Sequence, residues 1–239
     1  MLIAIIETGA PPSALQKRFG LYPDMMARML SPLAPGLRFK TVAAADGEPL
    51  PPIAAIDGAL VTGSPYAVYE ALAWLPALES FIRDLAAAGK PNVGICFGHQ
   101  TMAKAFGGHV VKSDKGWGAG IHEYEVRREE DWMRPAARRL SCVVSHQDQV
   151  VAPPLGARLL AGSDFCPYGA LIYPQGPAIS FQMHPEFDAD FSAALFRSRE
   201  ERMPAPVVKA ALESLSTPAD RRHIAEWIVN FYHQTGRLS

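Results

Sequence analysis

A short segment at positions 94–98, Gly-Ile-Cys-Phe-Gly, constrains the fold more than any other part of the chain. It places Cys96 between two glycines where an apolar stretch, predicted to be a strand, runs into a predicted helix. A nucleophile on such a turn projects out of the sheet, and glycines flank it because a Cβ there would collide with neighbouring backbone. The helix N-terminus also favours a thiolate over a thiol. The segment therefore predicts a nucleophile elbow.

A second segment far downstream, at positions 179–187, delivers His184 and, two residues later, Glu186. A cysteine nucleophile needs an imidazole to accept its proton and a carboxylate to fix the ring's tautomer. Cys96, His184 and Glu186 are therefore the predicted catalytic residues: nucleophile, general base and acid, and orienting partner. The alternative, that Cys96 merely ends a buried strand, is disfavoured because it leaves this second segment unexplained.

With both segments in hand, residues 1 to about 190 resemble class I glutamine amidotransferases, in particular small stand-alone proteins similar to the glutaminase domain of GMP synthase. The further matching segments, in the family's order, are the turn at 62–65, Lys90-Pro91 before the elbow, Lys-Gly-Trp-Gly at 115–118, and Ser-His-Gln-Asp at 145–148. The resemblance implies an oxyanion hole formed by the N–H groups of Gly63 and Phe97, because negative charge on the attacked carbonyl oxygen needs donors already in place.

The resemblance also implies a pocket for the glutamine backbone, formed by Gln100, Ser145, His146 and Asp148. Asp148 is expected to meet the ammonium group, and donors around Gln100 and Ser145 the carboxylate. For His146, a structural hydrogen bond after a strand is the alternative. Four further side chains are expected at the pocket mouth, with ordinary packing as their alternative: Tyr66, Tyr69, Lys115 and Trp117.

Short apolar runs alternate with helical segments, which predicts a three-layer α/β fold: a mainly parallel, flavodoxin-like sheet with helices on both faces, antiparallel additions and C-terminal helices. We expect one domain over 1–239, with a core of about 1–190 and appended helices at about 191–239. The first strand is expected to be central, and 109–127 to form a hairpin or meander. Predicted strands are 2–8, 38–43, 58–62, 140–145, 157–162, 169–173 and 177–183; predicted helices are 13–30 (broken), 72–88, 99–106, 191–202 and 219–232.

Charge and cysteine content exclude several classes of function. The net charge of −1 and the absence of Lys/Arg clusters argue against a nucleic-acid or membrane partner. The amino terminus lacks the basic residues of a secretory signal. Three cysteines without Cys-x-x-Cys spacing indicate neither a disulfide framework nor a zinc site, so we expect no metal and no cofactor. A cytoplasmic location is expected because it keeps a catalytic thiol reduced.

The resemblance implies hydrolysis of the glutamine side-chain amide through a γ-glutamyl thioester, with glutamine or a γ-glutamyl compound as substrate. The sequence contains no Walker phosphate loop, so a separately encoded synthase would accept the ammonia. The alternatives are a stand-alone γ-glutamyl peptidase or hydrolase, and a non-enzymatic protein that binds a glutamine-like ligand. A likeness to the intracellular protease and chaperone group, which also has a cysteine elbow, fits the His184 segment and the Gly63 turn less well.

Overall fold

The structure is a computed structural model that describes residues 1–236. The strands are β1 (Leu2–Glu7), β2 (Arg38–Ala43), β3 (Gly58–Val61), β4 (Asn92–Ile95), β5 (His109–Lys112), β6 (Gly118–Val126), β7 (Arg139–His146), β8 (Asp148–Ala152), β9 (Arg158–Gly162), β10 (Ala170–Tyr173) and β11 (Ala178–Phe181). The helices are α1 (Ser13–Phe19), α2 (Tyr22–Leu30), α3 (Leu75–Ala87), α4 (Phe97–Ala105), α5 (Ala189–Arg197), α6 (Ala205–Ser214) and α7 (Arg221–Thr235).

Nine strands form one sheet in the order β2-β1-β3-β4-β11-β10-β9-β6-β7. The first five run parallel, and β10, β9, β6 and β7 are added antiparallel. The predicted α/β class, with a parallel core and antiparallel additions, is confirmed. No helix among residues 1–236 is long and apolar enough to cross a bilayer.

Alternate residues of β1 pack against helices on opposite faces of the sheet. Ile3 and Ile5 belong to a buried cluster that contains apolar residues of α2 and α7, whereas Ala4 and Ile6 belong to one that contains residues of α3 and α4. A parallel strand covered on both faces needs a continuous run of apolar residues, and the sequence of β1 contains such a run. The three-layer arrangement therefore follows from the alternation of side chains along the strands.

The expectation that the first strand is central is wrong, since β1 lies next to the edge strand β2. From β1 the sheet continues on one side through β3, β4 and β11. The hydrophobicity of a single strand does not determine this pairing order. The expected hairpin at 109–127 is also wrong. Strand β5 pairs with β8 in a separate two-stranded sheet, and β6 pairs with β7 and β9, because alternation identifies a strand but not its partner.

Two elements were not expected, β8 and α6. Strand β8 follows β7 after one residue, so the sequence pattern indicates one strand at β7 and a loop where β8 lies. Helix α6 begins directly after Pro204 and carries Pro206 in its first turn, where proline is tolerated because the first N–H groups have no partner within the helix. Because proline usually marks a loop or a helix boundary, the sequence pattern does not predict this helix.

The last helix is held to the rest of the chain by specific hydrogen bonds. Tyr232 Oη on α7 donates to the carbonyl oxygen of Ala59 in β3 at 2.8 Å. At the start of α7, the N–H of Ser141 donates to Asp220 Oδ2 at 2.7 Å, and the Asp220 N–H donates to the Ser141 carbonyl at 2.6 Å. The division of the chain into a core of about 1–190 and appended helices stays a prediction.

The fold brings three distant segments to one edge of the sheet. Strands β3, β4 and β11 are parallel neighbours, so their carboxyl ends lie side by side. Gly63 follows β3, Cys96 follows β4, and His184 follows β11. Ligands of open α/β sheets bind at such carboxyl ends.

Candidate active site

Cys96 adopts a backbone conformation that L-residues rarely tolerate, with φ 52° and ψ −100°. It is the one non-glycine residue of the described chain with a positive φ, and outliers of this kind cost of order 1–3 kcal/mol. Its carbonyl accepts the Gln100 N–H at 3.0 Å, which starts α4. A Cβ at Gly94 would lie 2.5 Å from the Gly98 carbonyl oxygen, and one at Gly98 would strike that of Val61. The glycines are thus required for the predicted reason.

His184 and Glu186 form a buried pair beside Cys96. His184 Nδ1 and Glu186 Oε1 are 2.7 Å apart, and the ring also hydrogen-bonds the Cys96 side chain. Because the carboxylate engages Nδ1, Nε2 is the nitrogen left for the thiol. Burial by itself would lower the pKa of His184, but the charges and hydrogen bonds of Glu186 and Cys96 outweigh it and raise that pKa to about 10. The ring of Phe187 stacks on the imidazole at 4.0 Å and 6°.

Gln182 also contacts the cysteine, a residue to which the sequence assigned no role. Its Nε2 lies 3.4 Å from Cys96 Sγ, and its Oε1 accepts from Gln100 Nε2 at 3.0 Å. Gln100 Nε2 also donates to the Asp148 carbonyl oxygen at 2.9 Å. Both amide protons of Gln100 are therefore used within the protein, and its side chain leaves no donor for a ligand's carboxylate.

The turn at Gly63 lies against the cysteine and the histidine. An ideal Cβ on Gly63 would be 2.8 Å from His184 Cε1 and 3.7 Å from Cys96 Cβ. The Thr8 hydroxyl lies within hydrogen-bond distance of the Thr62 and Gly63 carbonyl oxygens, at 3.0 and 3.1 Å, and so restrains the turn. Within residues 1–236, neither the Gly63 nor the Phe97 N–H has a hydrogen-bond partner, so both are available as donors.

A cavity of about 190 Å³ opens at Cys96. Gln100, Ser145, His146 and Asp148, the predicted substrate residues, all line it, as do Tyr66, Tyr69 and Trp117. The expectation for Lys115 is wrong, because its ammonium group donates to the carbonyl oxygens of Asp164 and Phe165 and does not line the cavity.

Asp148 and His146 differ in what they offer a ligand. Asp148 Oδ1 accepts the Tyr69 hydroxyl at 2.8 Å, and burial followed by this hydrogen bond raises the pKa of Tyr69 to about 12. His146 is buried and its Nδ1 donates to the Asp148 carbonyl oxygen at 3.1 Å. Burial lowers the pKa of His146 to about 3, so the ring is neutral at pH 7. These contacts favour the structural role that was the alternative for His146.

Three arginines near the site were not singled out from the sequence. Arg199 and Arg202, which follow α5, line the cavity, and Arg199 Nη1 donates to Ser145 Oγ at 2.5 Å. Arg221 begins α7 and donates to the carbonyl oxygens of the residues directly after His184. Arginines at helix ends usually indicate solvated surface, so no sequence signal marked them.

No group of three or more His, Cys, Asp or Glu side chains that could hold a metal ion occurs in residues 1–236. Cys96, Cys142 and Cys166 are all free and buried.

Known proteins match this chain in sequence over half of its length or more. The family model "Glutamine amidotransferase class-I" matches residues 37–196. The chain is 32% identical over 183 residues to a subunit of the glutamine-hydrolyzing GMP synthase of Archaeoglobus fulgidus, covering 75% of this chain and 92% of that protein. It is 30% identical over 182 residues to a putative glutamine amidotransferase-like protein of Schizosaccharomyces pombe, covering 74% and 72%. For the corresponding GMP synthase subunit of Methanosarcina acetivorans, the match is 36% over 130 residues, or 54% of this chain and 64% of that protein.

Solved structures share the fold. A glutamine amidotransferase from Thermotoga maritima superposes with a TM-score of 0.77 at 17% identity, over 100% of this chain and 99% of that one. A glutamine amido transferase from Methylobacillus flagellatus gives a TM-score of 0.77 at 23% identity, over 99% and 94%.

Proposed function

This chain belongs to the class I glutamine amidotransferase family, and from that premise we propose that it hydrolyses the side-chain amide of glutamine or a γ-glutamyl compound. One observation carries the proposal: Cys96, on its strained turn, lines an open cavity and hydrogen-bonds a histidine that is itself paired with Glu186. Nucleophile, base and orienting group in this order are the parts of a cysteine triad.

In the first half of the proposed reaction, Cys96 Sγ attacks the γ-carbonyl carbon of the substrate. The Gly63 and Phe97 N–H groups receive the charge that develops on the carbonyl oxygen, a contribution of about 10²–10³ in kcat for each donor in comparable sites. His184 has taken the proton of the Cys96 thiol, holds it at neutral pH because its own pKa is raised, and gives it to the leaving nitrogen. The carbon–nitrogen bond breaks, and a γ-glutamyl thioester remains on Cys96.

In the second half, His184 takes a proton from a water molecule that attacks the thioester carbon. Glutamate leaves and the proton returns to the Cys96–His184 pair, so the enzyme is regenerated. Glu186 holds the ring in the tautomer that serves both halves and stabilises its charged form.

The matched proteins of Archaeoglobus fulgidus and Methanosarcina acetivorans are named as parts of GMP synthases, which supports a separate synthase as the acceptor of the released ammonia. A stand-alone γ-glutamyl hydrolase and a non-enzymatic binding protein are the competing functions. Three free cysteines suit a reducing cytoplasm, where we place the protein.

The test is an assay of glutamate release by the purified full chain from glutamine and from γ-glutamyl peptides. Turnover of glutamine that Cys96→Ala abolishes supports the proposal, and turnover that survives this change contradicts it. An electrophilic glutamine analogue such as a chloroketone should add one label to Cys96, detected by peptide mass spectrometry. Cys166→Ala is the matched control and should still take up one label at Cys96. Burial raises the pKa of the Cys166 thiol to about 12, so this thiol is not expected to react with the analogue. Binding without turnover of any substrate would favour the non-enzymatic function.

A further inference from the structure

The cavity at Cys96 contains more positive charge than its own carboxylates neutralise. Lys112, Arg199 and Arg202 line it, and none of the three forms an ion pair within residues 1–236. The lining contains two carboxylates, so three cations face two anions, and each carboxylate accepts one hydrogen bond from another lining residue. Glu70 Oε1 accepts the Ala67 N–H at 2.7 Å, and Asp148 Oδ1 accepts the Tyr69 hydroxyl. The cavity is therefore suited to an anionic ligand.

Arg199 is the cation of this group that is held in place. Its Nη1 donates to Ser145 Oγ, and its guanidinium carbon lies 5.8 Å from the centre of the Trp117 ring. These contacts restrict a half-buried side chain and engage one of its five N–H donors. A planar guanidinium pre-oriented in this way matches a carboxylate with two parallel hydrogen bonds, and partial removal from water strengthens the interaction.

We propose that Arg199, with Arg202 beside it, binds a carboxylate group of the substrate. The proposal rests on the proposed function, since it takes the ligand of this cavity to be a γ-glutamyl compound. Arg199 lies outside residues 37–196, the region that matches the family model, so the subsite is contributed by the C-terminal part of this chain. Gln100 does not compete for this role, because its amide protons are already used.

Two carboxylates of such substrates have the required chemistry. One is the α-carboxylate of the glutamyl unit, which glutamine also carries. The other is a carboxylate on the released amine, as in a γ-glutamyl amino acid or peptide. The excess of unpaired cations in the cavity suits a ligand that carries both.

Binding is measured by titration calorimetry in a Cys96→Ala background, so that no ligand is consumed. The ligands are glutamine, glutamine α-amide, γ-glutamylglycine and γ-glutamylglycinamide. Arg199→Gln should weaken binding of a recognised carboxylate by about 10- to 100-fold, the usual loss for a charged hydrogen bond. Arg199→Lys keeps the charge but not the planar fork and should give an intermediate loss. Arg197→Gln, exposed at the end of α5, is the control and should change binding by less than about threefold.

The pattern of losses identifies the carboxylate. Equal losses for glutamine and both γ-glutamyl dipeptides, with none for the α-amide, assign Arg199 to the α-carboxylate. A loss confined to γ-glutamylglycine assigns it to the released amine and makes γ-glutamyl peptides the substrate class. Unchanged binding of all four ligands in a folded Arg199→Gln protein, or no binding by the parent, overturns the proposal. Tight, Arg199-dependent binding without turnover by the wild-type chain would contradict the proposed function and leave the carboxylate-binding role of Arg199 standing.

Discussion

Arg221 holds the backbone of Glu186 from the first turn of α7, with Nη2 donating to the Glu186 carbonyl oxygen at 3.1 Å. Its Nε donates to the Pro185 carbonyl oxygen at 2.9 Å. One guanidinium therefore fixes two successive peptides of the turn that carries the orienting carboxylate. The last helix of the chain is tied in this way to the proposed catalytic residues.

Arg221→Ala should lower kcat by about tenfold or more with little change in KM, because a small displacement of catalytic groups is costly while the substrate cavity is untouched. Steady-state kinetics with the best substrate measure this. Arg222→Ala removes the same charge from an exposed neighbour and should leave kcat unchanged. Partial recovery in Arg221→Lys would agree with a positioning role, and an equal loss in both alanine variants would contradict it.

Glu186→Gln should move the alkaline limb of the pH–rate profile to lower pH. Burial lowers the pKa of His184, and the negative charge of Glu186 is the largest contribution that raises it, so removing that charge leaves the imidazolium easier to deprotonate. The wild-type limb is expected near pH 10. The measurement is kcat/KM against pH for both proteins. A limb that stays at the same pH in the variant would show that it does not report on His184.

Gly63→Ala should reduce kcat by about 10² or more, because the added Cβ would lie 2.8 Å from His184 Cε1 and displace the ring or the proposed oxyanion donor. Gly36→Ala is the matched control, since a Cβ there meets no atom within 4 Å. Kinetics and thermal unfolding of both variants make the comparison. Full activity in Gly63→Ala would argue against a role for this turn in catalysis.

The free energy of unfolding should fall as the pH drops from 6.5 toward 3. Burial lowers the pKa of both His99 and His146 to about 3, so below pH 6.5 the unfolded chain binds protons that the folded chain does not. Each histidine contributes a slope of up to about 1.4 kcal/mol per pH unit in that window. His184 does not add to this slope, because below pH 6.5 it is protonated in both the folded and the unfolded chain. The stability that its raised pKa contributes is lost only as the pH rises toward 10.

Urea unfolding at pH 6.5 and pH 5.0 tests this expectation with His99→Gln and its control His109→Gln. The pH dependence of stability should be shallower in His99→Gln than in the wild type. His109 is exposed, so its replacement should leave the dependence unchanged. An unaltered slope in His99→Gln would contradict the assignment of acid sensitivity to this ring.

Local motifs predicted the fold class and the meeting of Cys96 with His184, because Cys96 directly follows β4, His184 follows β11 after two residues, and parallel strands share one carboxyl edge. Strand partners were harder to predict, as β5 shows: its alternation was recognised, but its pairing with β8 depends on residues nearly 40 positions away. Lys115 was misplaced because a side chain's direction is set by tertiary contacts. Arg199 was missed for the same reason, since only the folded chain brings the turn after α5 to Ser145.

The backbone angle of Cys96 has a consequence for evolution of the protein. Glycine accepts a positive φ without strain, so Cys96→Gly should relieve the backbone strain at this turn, about 1–3 kcal/mol, while removing the sulfur. Selection for robustness alone would favour that replacement. A cysteine with this backbone angle is what a proposed use of its sulfur in chemistry predicts, at a cost in stability.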